Sequence, residues 1–113
     1  AVADGLDTIP DRLEIAGACS ALGLPFVHAS VASWYAQATT QPAGRLSLRE
    51  VYGPDPPARG AEAQLGNAAF TPALAASLEA AELCRILTGK GPALAGRLLM
   101  IDLLAMEFVT LPI

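Results

Sequence analysis

The sequence predicts an α/β or α+β fold with a mixed sheet and few helices. The predicted elements follow the order strand end, helix, several strands, helix and two strands. Strands that follow one another through short turns are antiparallel. Ala and Leu supply much of the apolar content, which is 53% of 113 residues, and small side chains let a helix lie close to a sheet. One compact unit is expected from this length.

The first elements are a strand end and a helix. The apolar run 1–3 predicts the end of a strand, and an acidic turn follows it. A helix is predicted over 9–22 because Thr8 can cap its N-terminus and Pro10 suits its first turn. Gly23 stands where a left-handed residue would end the helix. The face predicted to be buried carries Ile15, Cys19 and Leu22.

Several strands are predicted next. Residues 24–31 and 34–40 predict two strands, the first of them buried. The alternating segment RLSLREV, residues 45–51, predicts a half-exposed antiparallel strand with Leu46 and Leu48 on one face. Three prolines and two glycines make residues 53–60 a surface loop.

The second half predicts a long helix and two strands. Pro72 suits the first turn of a helix over 71–88, and Gly89 suits its end. A polar, glycine-rich connection then leads to strands over 98–102 and 107–113. The helix is predicted to turn its small apolar side chains towards the sheet and its charged ones away. The apolar set is Ala73, Ala76, Ala80, Leu83 and Leu87, and the charged set is Glu79, Glu82 and Arg85.

Charge and composition argue against several classes of protein. The net charge is −4 and the basic residues are scattered, which argues against nucleic-acid binding. Charged residues interrupt the apolar stretches well before the roughly 20 residues that a membrane helix needs. Cys19 and Cys84 form no metal motif and are expected to be reduced, buried thiols in a cytoplasmic protein. Because the chain opens directly into a strand end, it is expected to be a fragment.

The best polar constellation lies between the first strand end and the first helix. Asp4, Asp7 and Arg12 occur there, in DGLDTIPDR. Ligands of open α/β sheets bind at the carboxyl ends of strands. A carboxylate at such a position can hold Mg²⁺ while nucleotide phosphates complete the shell, and an Arg can meet a phosphate. The alternative is plain helix capping by Asp7 or Thr8, with Asp11 and Arg12 solvated.

Other candidate groups carry weaker signals. His28 is the single histidine and lies in an apolar strand, where it is either a satisfied core residue or a base. No Ser or Cys is visibly paired with it, so a hydrolytic triad is unsupported. TGKGPALAG follows a helix and precedes a strand, which is the wrong order for a phosphate loop. Trp34 and Tyr35 are expected to be strand residues that point to opposite faces, although a binding patch is the alternative.

Taken together, these segments resemble the ThiF/MoeB/HesA family. The stretch 4–40 is similar to the family's Asp-x-x-Asp-Asn motif, its Arg four residues later, a helix, then Pro-Leu-Val-His-Gly and Gly-Gln. Pro25, Val27, His28 and Gln37 stand at matching positions. Residues 66–113 resemble the family's glycine-rich lead into a long helix, a Leu-x-Gly turn, a Gly-x-Leu-Leu-x-x-Asp strand and a terminal strand.

The resemblance implies an α/β fold, the carboxy-terminal half of a Rossmann-like ThiF-type domain with a mixed or antiparallel sheet and two main helices. All of 1–113 is then one partial domain, whose nucleotide-binding glycine loop would lie upstream. The family uses Mg-ATP to adenylate the terminal glycine of a ubiquitin-like sulfur-carrier protein, as in thiamine or molybdopterin sulfur transfer. The implied partners are such a carrier and a second copy in a homodimer or oligomer. This fragment by itself is expected to be inactive.

The resemblance also assigns site residues. Asp7 matches the aspartate that places Mg-ATP, so it is the implied Mg²⁺ position, and Arg12 matches the Arg of that motif. Asp7 and Arg12 are thus the implied catalytic positions. Asp4, Asp7 and Thr8 are the implied cofactor-binding positions, with Thr8 standing where the family has Asn.

Several departures from the family pattern bear on chemistry. A further family Asn is Ala16 here, which favours a lapsed binding or dimerisation scaffold, whereas Asp7 and Arg12 favour an enzyme. The paired CxxC motifs of many members are missing, so no zinc is expected and the chain resembles a zinc-free, HesA-like member. No cysteine lies in the crossover loop, so a thioester or acyl-disulfide step on this chain is not expected. An unrelated α/β cofactor-binding domain is a third alternative.

Overall fold

The computed structural model describes residues 1–113, except for the side chain of Glu62. The chain forms five strands and four helices. The strands are β1 (Val2–Ala3), β2 (Phe26–Ala32), β3 (Tyr35–Gln41), β4 (Arg97–Asp102) and β5 (Glu107–Pro112). The helices are α1 (Ile9–Ala21), α2 (Leu48–Tyr52), α3 (Glu62–Leu65) and α4 (Phe70–Leu87). The predicted α/β fold with a mixed sheet and two main helices, α1 and α4, is confirmed.

The sheet has its strands in chain order, from β1 to β5. β1 runs parallel to β2 through the register Val2↔Phe26, and every later pair is antiparallel. Phe26 belongs to a core cluster with α1 and α2, whereas Ala29 belongs to a cluster with α4. Because these two residues are three positions apart on one strand, their side chains point to opposite faces. The helices therefore cover both faces of the sheet around β2.

Helix α1 begins and ends as its sequence predicts. The Thr8 hydroxyl accepts a hydrogen bond from the Asp11 backbone N–H, and Gly23 adopts a φ of 67° just past the helix. The predicted buried face is wrong in two of its three residues, because Ile15 and Leu22 are exposed. The buried side chains are instead Ile9, Ala16 and Cys19. Ile15 directly precedes the buried Ala16, and one residue turns a side chain about 100° around the helix axis. The Ile15 side chain is therefore rotated away from the buried face.

The strand predicted over 45–51 is wrong, because residues Leu48–Tyr52 form helix α2. Leu48 is fully buried with Ala16, Cys19 and Phe26, whereas Leu46 is 37% exposed. The two leucines therefore do not share a face. Val51 and Tyr52 pack against the same cluster as Leu48. Apolar residues at spacings of three and four place all three side chains on one side of a helix, and this burial overrides the local alternation.

Helix α4 packs against β2 and β3 with a face opposite to the predicted one. Its buried residues are Thr71, Ala75 and Glu82, whereas Leu87 is 75% exposed and most of the predicted apolar face is exposed as well. Polar groups can face the sheet because they are hydrogen-bonded. The Glu82 carboxylate accepts from the Thr40 hydroxyl at 2.7 Å and from two backbone N–H groups of the following connection at 2.8 and 3.0 Å.

The other predicted loop and strands are present, but the aromatic pair at the β2–β3 turn differs from its prediction. The loop over 53–60 and the last two strands are confirmed. Trp34 lies in the β2–β3 turn and not in a strand, and both Trp34 and Tyr35 are exposed, so their predicted alternation is wrong. Trp34 packs on Phe70 with ring centroids 4.8 Å apart. Cys19 is buried as predicted, whereas the predicted burial of Cys84 is wrong, because its side chain is exposed on α4. None of the described helices is long and apolar enough to cross a membrane.

Candidate functional site

A cleft of about 1010 Å³ opens at the carboxyl end of β1, and we call it the β1–α1 cleft. The loop between β1 and α1 forms one wall with Asp4, Asp7 and Arg12. Tyr52 of α2 and Glu79 of α4 contribute from the two sides of the sheet. The structure thus brings three of the four sequence-predicted site residues to one cleft, at the position where open α/β sheets bind ligands.

Asp4 is buried at the base of this cleft, directly after β1. Its Oδ1 accepts a hydrogen bond from the Leu6 backbone N–H at 2.9 Å. Its Oδ2 contacts the Nδ1 of His28 and lies 3.6 Å from the Nε of Arg12. The Asp4 carboxylate therefore already has partners on both oxygens, and it shapes the loop from inside the protein.

His28 is completely buried beneath the cleft, and both of its ring nitrogens have partners. Its Nδ1 faces the Asp4 carboxylate, which can only accept, so Nδ1 carries the proton. Its Nε2 then accepts a hydrogen bond from the Tyr52 hydroxyl at 3.0 Å. Burial lowers the pKa of His28 below its usual value, although Asp4 opposes this shift. The neutral ring matches the satisfied core residue, one of the two alternatives that the sequence left open.

Arg12 ties the cleft together through its guanidinium group. Its Nε and Nη2 donate to the Leu6 carbonyl at 3.1 and 2.5 Å. Its Nη1 lies 3.3 Å from both the Ala29 carbonyl and the Tyr52 hydroxyl. The side chain is only 13% exposed. Arg12 therefore holds the β1–α1 loop against β2, and its positive charge lies at the cleft wall.

Asp7 and Thr8 differ in what their side chains are free to do. Asp7 is exposed and lines the cleft, and no described residue donates a hydrogen bond to its carboxylate. The Thr8 hydroxyl accepts from the Asp11 N–H at 3.3 Å and donates to the Asp11 carboxylate at 2.6 Å. The Thr8 hydroxyl is thus occupied by capping α1, which was the alternative to ligand binding that the sequence left open. Among the four predicted site residues, Asp7 offers the carboxylate that is open to a ligand.

Two cleft residues were missed by sequence reasoning. Glu79 was predicted to face away from the sheet, yet it lines the cleft, where burial and then the charge of Asp4 raise its pKa to about 7. Thr71, Ala75 and Glu79 are spaced four residues apart, which places them on one face of the helix. This spacing was the sequence signal that could have located Glu79. Tyr52 was missed because it directly follows the segment 45–51, which was assigned to a strand although it begins the helix that carries Tyr52.

The acidic side chains of the cleft do not form a metal cage. Among the described residues, no group of three His, Cys, Asp or Glu side chains is arranged to hold a metal ion. Mg²⁺ bound through one or two carboxylates takes its other ligands from water and substrate phosphates. The free Asp7 carboxylate fits that mode of binding, because it can supply one oxygen next to a bound nucleotide.

Comparison with known proteins assigns the family. The model of the ThiF family matches residues 1–113, and the chain belongs to this family. It is 32% identical over 98% of its length to the SAMP-activating enzyme E1 of Haloferax volcanii. It is 31% identical over 95% of its length to the adenylyltransferase and sulfurtransferase MOCS3 of Xenopus laevis. It spans only 42% and 24% of the lengths of these two relatives.

Solved structures share the fold at low sequence identity. One is E. coli MccB crystallised with AMPCPP and MccA, with a TM-score of 0.67 and 12% identity. A second is PaaA, with a TM-score of 0.63 and 10% identity. Each superposition covers 98% of this chain, and 36% and 40% of the other chain. The resemblance found in the sequence is confirmed at the level of family and fold.

Proposed function

We propose that this chain is the carboxy-terminal half of a ThiF-type domain and forms part of an ATP-dependent enzyme that adenylates the terminal glycine of a ubiquitin-like sulfur-carrier protein. The observation that carries the proposal is the free Asp7 carboxylate, which faces the cleft at the carboxyl end of β1. Family membership and the similarity to two relatives, an activating enzyme and an adenylyltransferase, support it. The sulfur-transfer pathway would be of the thiamine or molybdopterin type, in the cytoplasm.

In this proposal Asp7 helps to place Mg-ATP. The metal would offset charge that develops between the α- and β-phosphates as the carrier's carboxylate attacks. The residues of this chain bind and orient. Asp7 supplies a carboxylate oxygen, and Arg12 adds positive charge at the wall while it holds the loop in place. Thr8 starts α1 beside Asp7, and Asp4 anchors the strand end.

The chain alone is proposed to be inactive. Its resemblance is to the half of the family domain that lacks the glycine loop and the basic residues that meet the phosphates. The cleft described above would be completed by that other half. No zinc is proposed, because the region of the family's paired CxxC motifs holds the loop over 53–60 instead.

The test is ATP–pyrophosphate exchange by the intact protein in the presence of a carrier that ends in glycine. We expect Asp7→Asn to lower the exchange rate about 100-fold or more, because a positioned electrostatic partner of the transition state is lost. Asp55→Asn is the matched control, since Asp55 is an exposed carboxylate in the loop over 53–60. Equal rates for the wild type and Asp7→Asn would contradict the assigned role.

A second candidate function is a catalytically lapsed scaffold for binding or dimerisation. Thr8 and Ala16 stand where the family has asparagines, and this observation favours it. The scaffold predicts carrier binding without any exchange of pyrophosphate. Exchange that depends on the carrier's terminal glycine would eliminate it.

A further inference from the structure

We propose that Glu79 acts as a neutral carboxyl group in the β1–α1 cleft and donates a hydrogen bond to an anionic oxygen of the bound substrate. This inference rests on the proposed function, because it names a further substrate-contacting residue of the same site. The chemistry required of the ligand is an oxyanion, either a phosphate of the nucleotide or the terminal carboxylate of the carrier.

The first step is the position of Glu79. It lies on the face of α4 that packs against the sheet, four residues after the buried Ala75, and it lines the cleft. Its Oε1 is buried and has no hydrogen-bond partner among the described residues. A buried polar atom without a partner costs free energy, so a ligand that supplies the partner binds favourably there.

The second step is the location of the proton when two carboxyl groups share one cleft. Three donors face Asp4, namely the Leu6 N–H, the His28 Nδ1–H and the Arg12 guanidinium, and they stabilise its charge. Glu79 is less well served, because its Oε1 has no hydrogen-bond partner within the described part of the chain and the backbone groups of Ala29 and Asp4 offset its burial only in part. Neighbouring carboxyl groups in unequal environments are pushed towards different protonation states, so Glu79 is the one that keeps its proton.

The pKa of Glu79 agrees with this assignment. Burial raises it to about 7, and the charge of Asp4 adds to the shift. Backbone hydrogen bonds at Ala29 and Asp4 and the charge of Arg12 act in the opposite direction but are weaker. The group can therefore be neutral at the pH at which it works, and a carboxylic acid with its proton is a hydrogen-bond donor.

The third step is the charge of the surrounding cleft. Arg12 is the cationic side chain that lines it, and its guanidinium is largely engaged by the Leu6 and Ala29 carbonyls. The groups on the neighbouring elements are Asp4 and Asp7 of the β1–α1 loop, neutral His28 of β2, Asp102 of β4 and Glu107 of β5. A further negative charge at Glu79 would repel an anionic substrate, whereas the protonated form attracts it.

The experiment compares Glu79→Gln with Glu79→Ala in the intact protein across pH 6 to 9. Gln keeps a donor without a titrating proton, so we expect an exchange rate within about threefold of wild type at low pH and no loss above pH ~7. Wild type should lose activity as pH rises through that range. Ala should lower kcat/KM about tenfold or more at every pH, because the donor is gone. Glu14→Gln, at an exposed glutamate of α1, is the control.

The same variants distinguish the two oxyanions. A higher KM for ATP in Glu79→Ala assigns the contact to a phosphate, and a higher KM for the carrier assigns it to the terminal carboxylate. Wild-type activity in Glu79→Ala overturns the proposal. So does a Gln variant as inactive as Ala, because a charged carboxylate would then be required. If the wild type shows no exchange at all, the proposed function fails. A ¹³C NMR titration of Glu79 then still tests whether its carboxyl group keeps its proton. A titration at the ordinary pH of a glutamate would overturn the further inference.

Discussion

Around the β1–α1 cleft, individual side chains divide into those that hold its shape and those that are left open to its contents. A hydrogen-bonded chain runs from Arg12 through the Tyr52 hydroxyl and His28 to Asp4. Every member has a partner, so this chain fixes the loop that presents Asp7. Asp7 and Glu79 are free of it. The division separates residues whose loss disturbs the fold from residues whose loss disturbs binding.

The pH dependence of stability is the prediction that belongs to this scale. Glu79 has a pKa of about 7 in the folded protein against an ordinary value of 4.5. Its proton is held more tightly in the folded state, so its stabilising contribution is present below pH ~4.5 and is lost as pH rises through about 7. We expect Glu79→Gln to remove this decline in urea unfolding measured from pH 4.5 to 8.

The effect of His28 on the pH dependence of stability is opposite to that of Glu79. The wild type must therefore be compared with Glu79→Gln. Its pKa is lowered in the folded protein, so stability is lost as pH falls below its usual value of 6.5. The wild type and Glu79→Gln both retain His28, so the difference between their stability profiles isolates Glu79. A wild-type profile parallel to that of Glu79→Gln would show that the carboxyl group titrates normally.

Part of this site follows from the local sequence, and the rest does not. Asp4, Asp7 and Arg12 were found because a strand end followed by a capped helix is a local pattern. Glu79 and Tyr52 reach the cleft through the rotation of α4 and the helical state of α2. Both depend on contacts between distant segments, and the local sequence does not carry them.

At the scale of elements, tertiary contacts decided the two segments that the local pattern misassigned. Residues 45–51 alternate like a strand, yet Gln41 accepts a hydrogen bond from the Leu48 N–H at 3.3 Å and donates to the Ala16 carbonyl at 2.8 Å. A polar side chain from β3 thereby fixes the start of α2 against α1. Helix α4 likewise turned its glutamate inward because Glu82 has three donors there.

Truncating the leucines of 45–51 tests the helical assignment of α2. We expect Leu48→Ala to lower the free energy of unfolding by about 2–5 kcal/mol, because it leaves a cavity in the core. Leu46→Ala should cost less than about 1 kcal/mol, since Leu46 is already 37% exposed. Chemical denaturation measures both. Equal losses would support the strand, in which both leucines share a face.

For the whole molecule, the coverage of the sheet is uneven. Helices pack on β2 and β3, whereas every residue of the edge strand β5 is exposed. Phe108, Val109 and Leu111 lie there, next to the half-exposed Met100 of β4. Exposed edges with apolar side chains favour association. This supports the expected dimer or oligomer, which stays a prediction.

A charge placed on β5 tests that prediction. We expect Val109→Lys to weaken self-association about tenfold or more, because it puts a charge on the edge strand opposite Met100. Leu87→Lys is the control, at an exposed apolar residue that lies at the end of α4, away from β5. Multi-angle light scattering over a concentration series gives the association constants. A wild-type protein that remains a monomer at high concentration would contradict the expectation.

The strand order β1 to β5 has a consequence for how the chain acquires its structure during synthesis. Each strand that leaves the ribosome can dock on the outer side of the one before it, and none has to be inserted between two neighbours already in place. The polypeptide can therefore build its sheet outwards in one direction, with the α1 crossover closed first. Domains that assemble as they are translated expose unpaired apolar segments for less time.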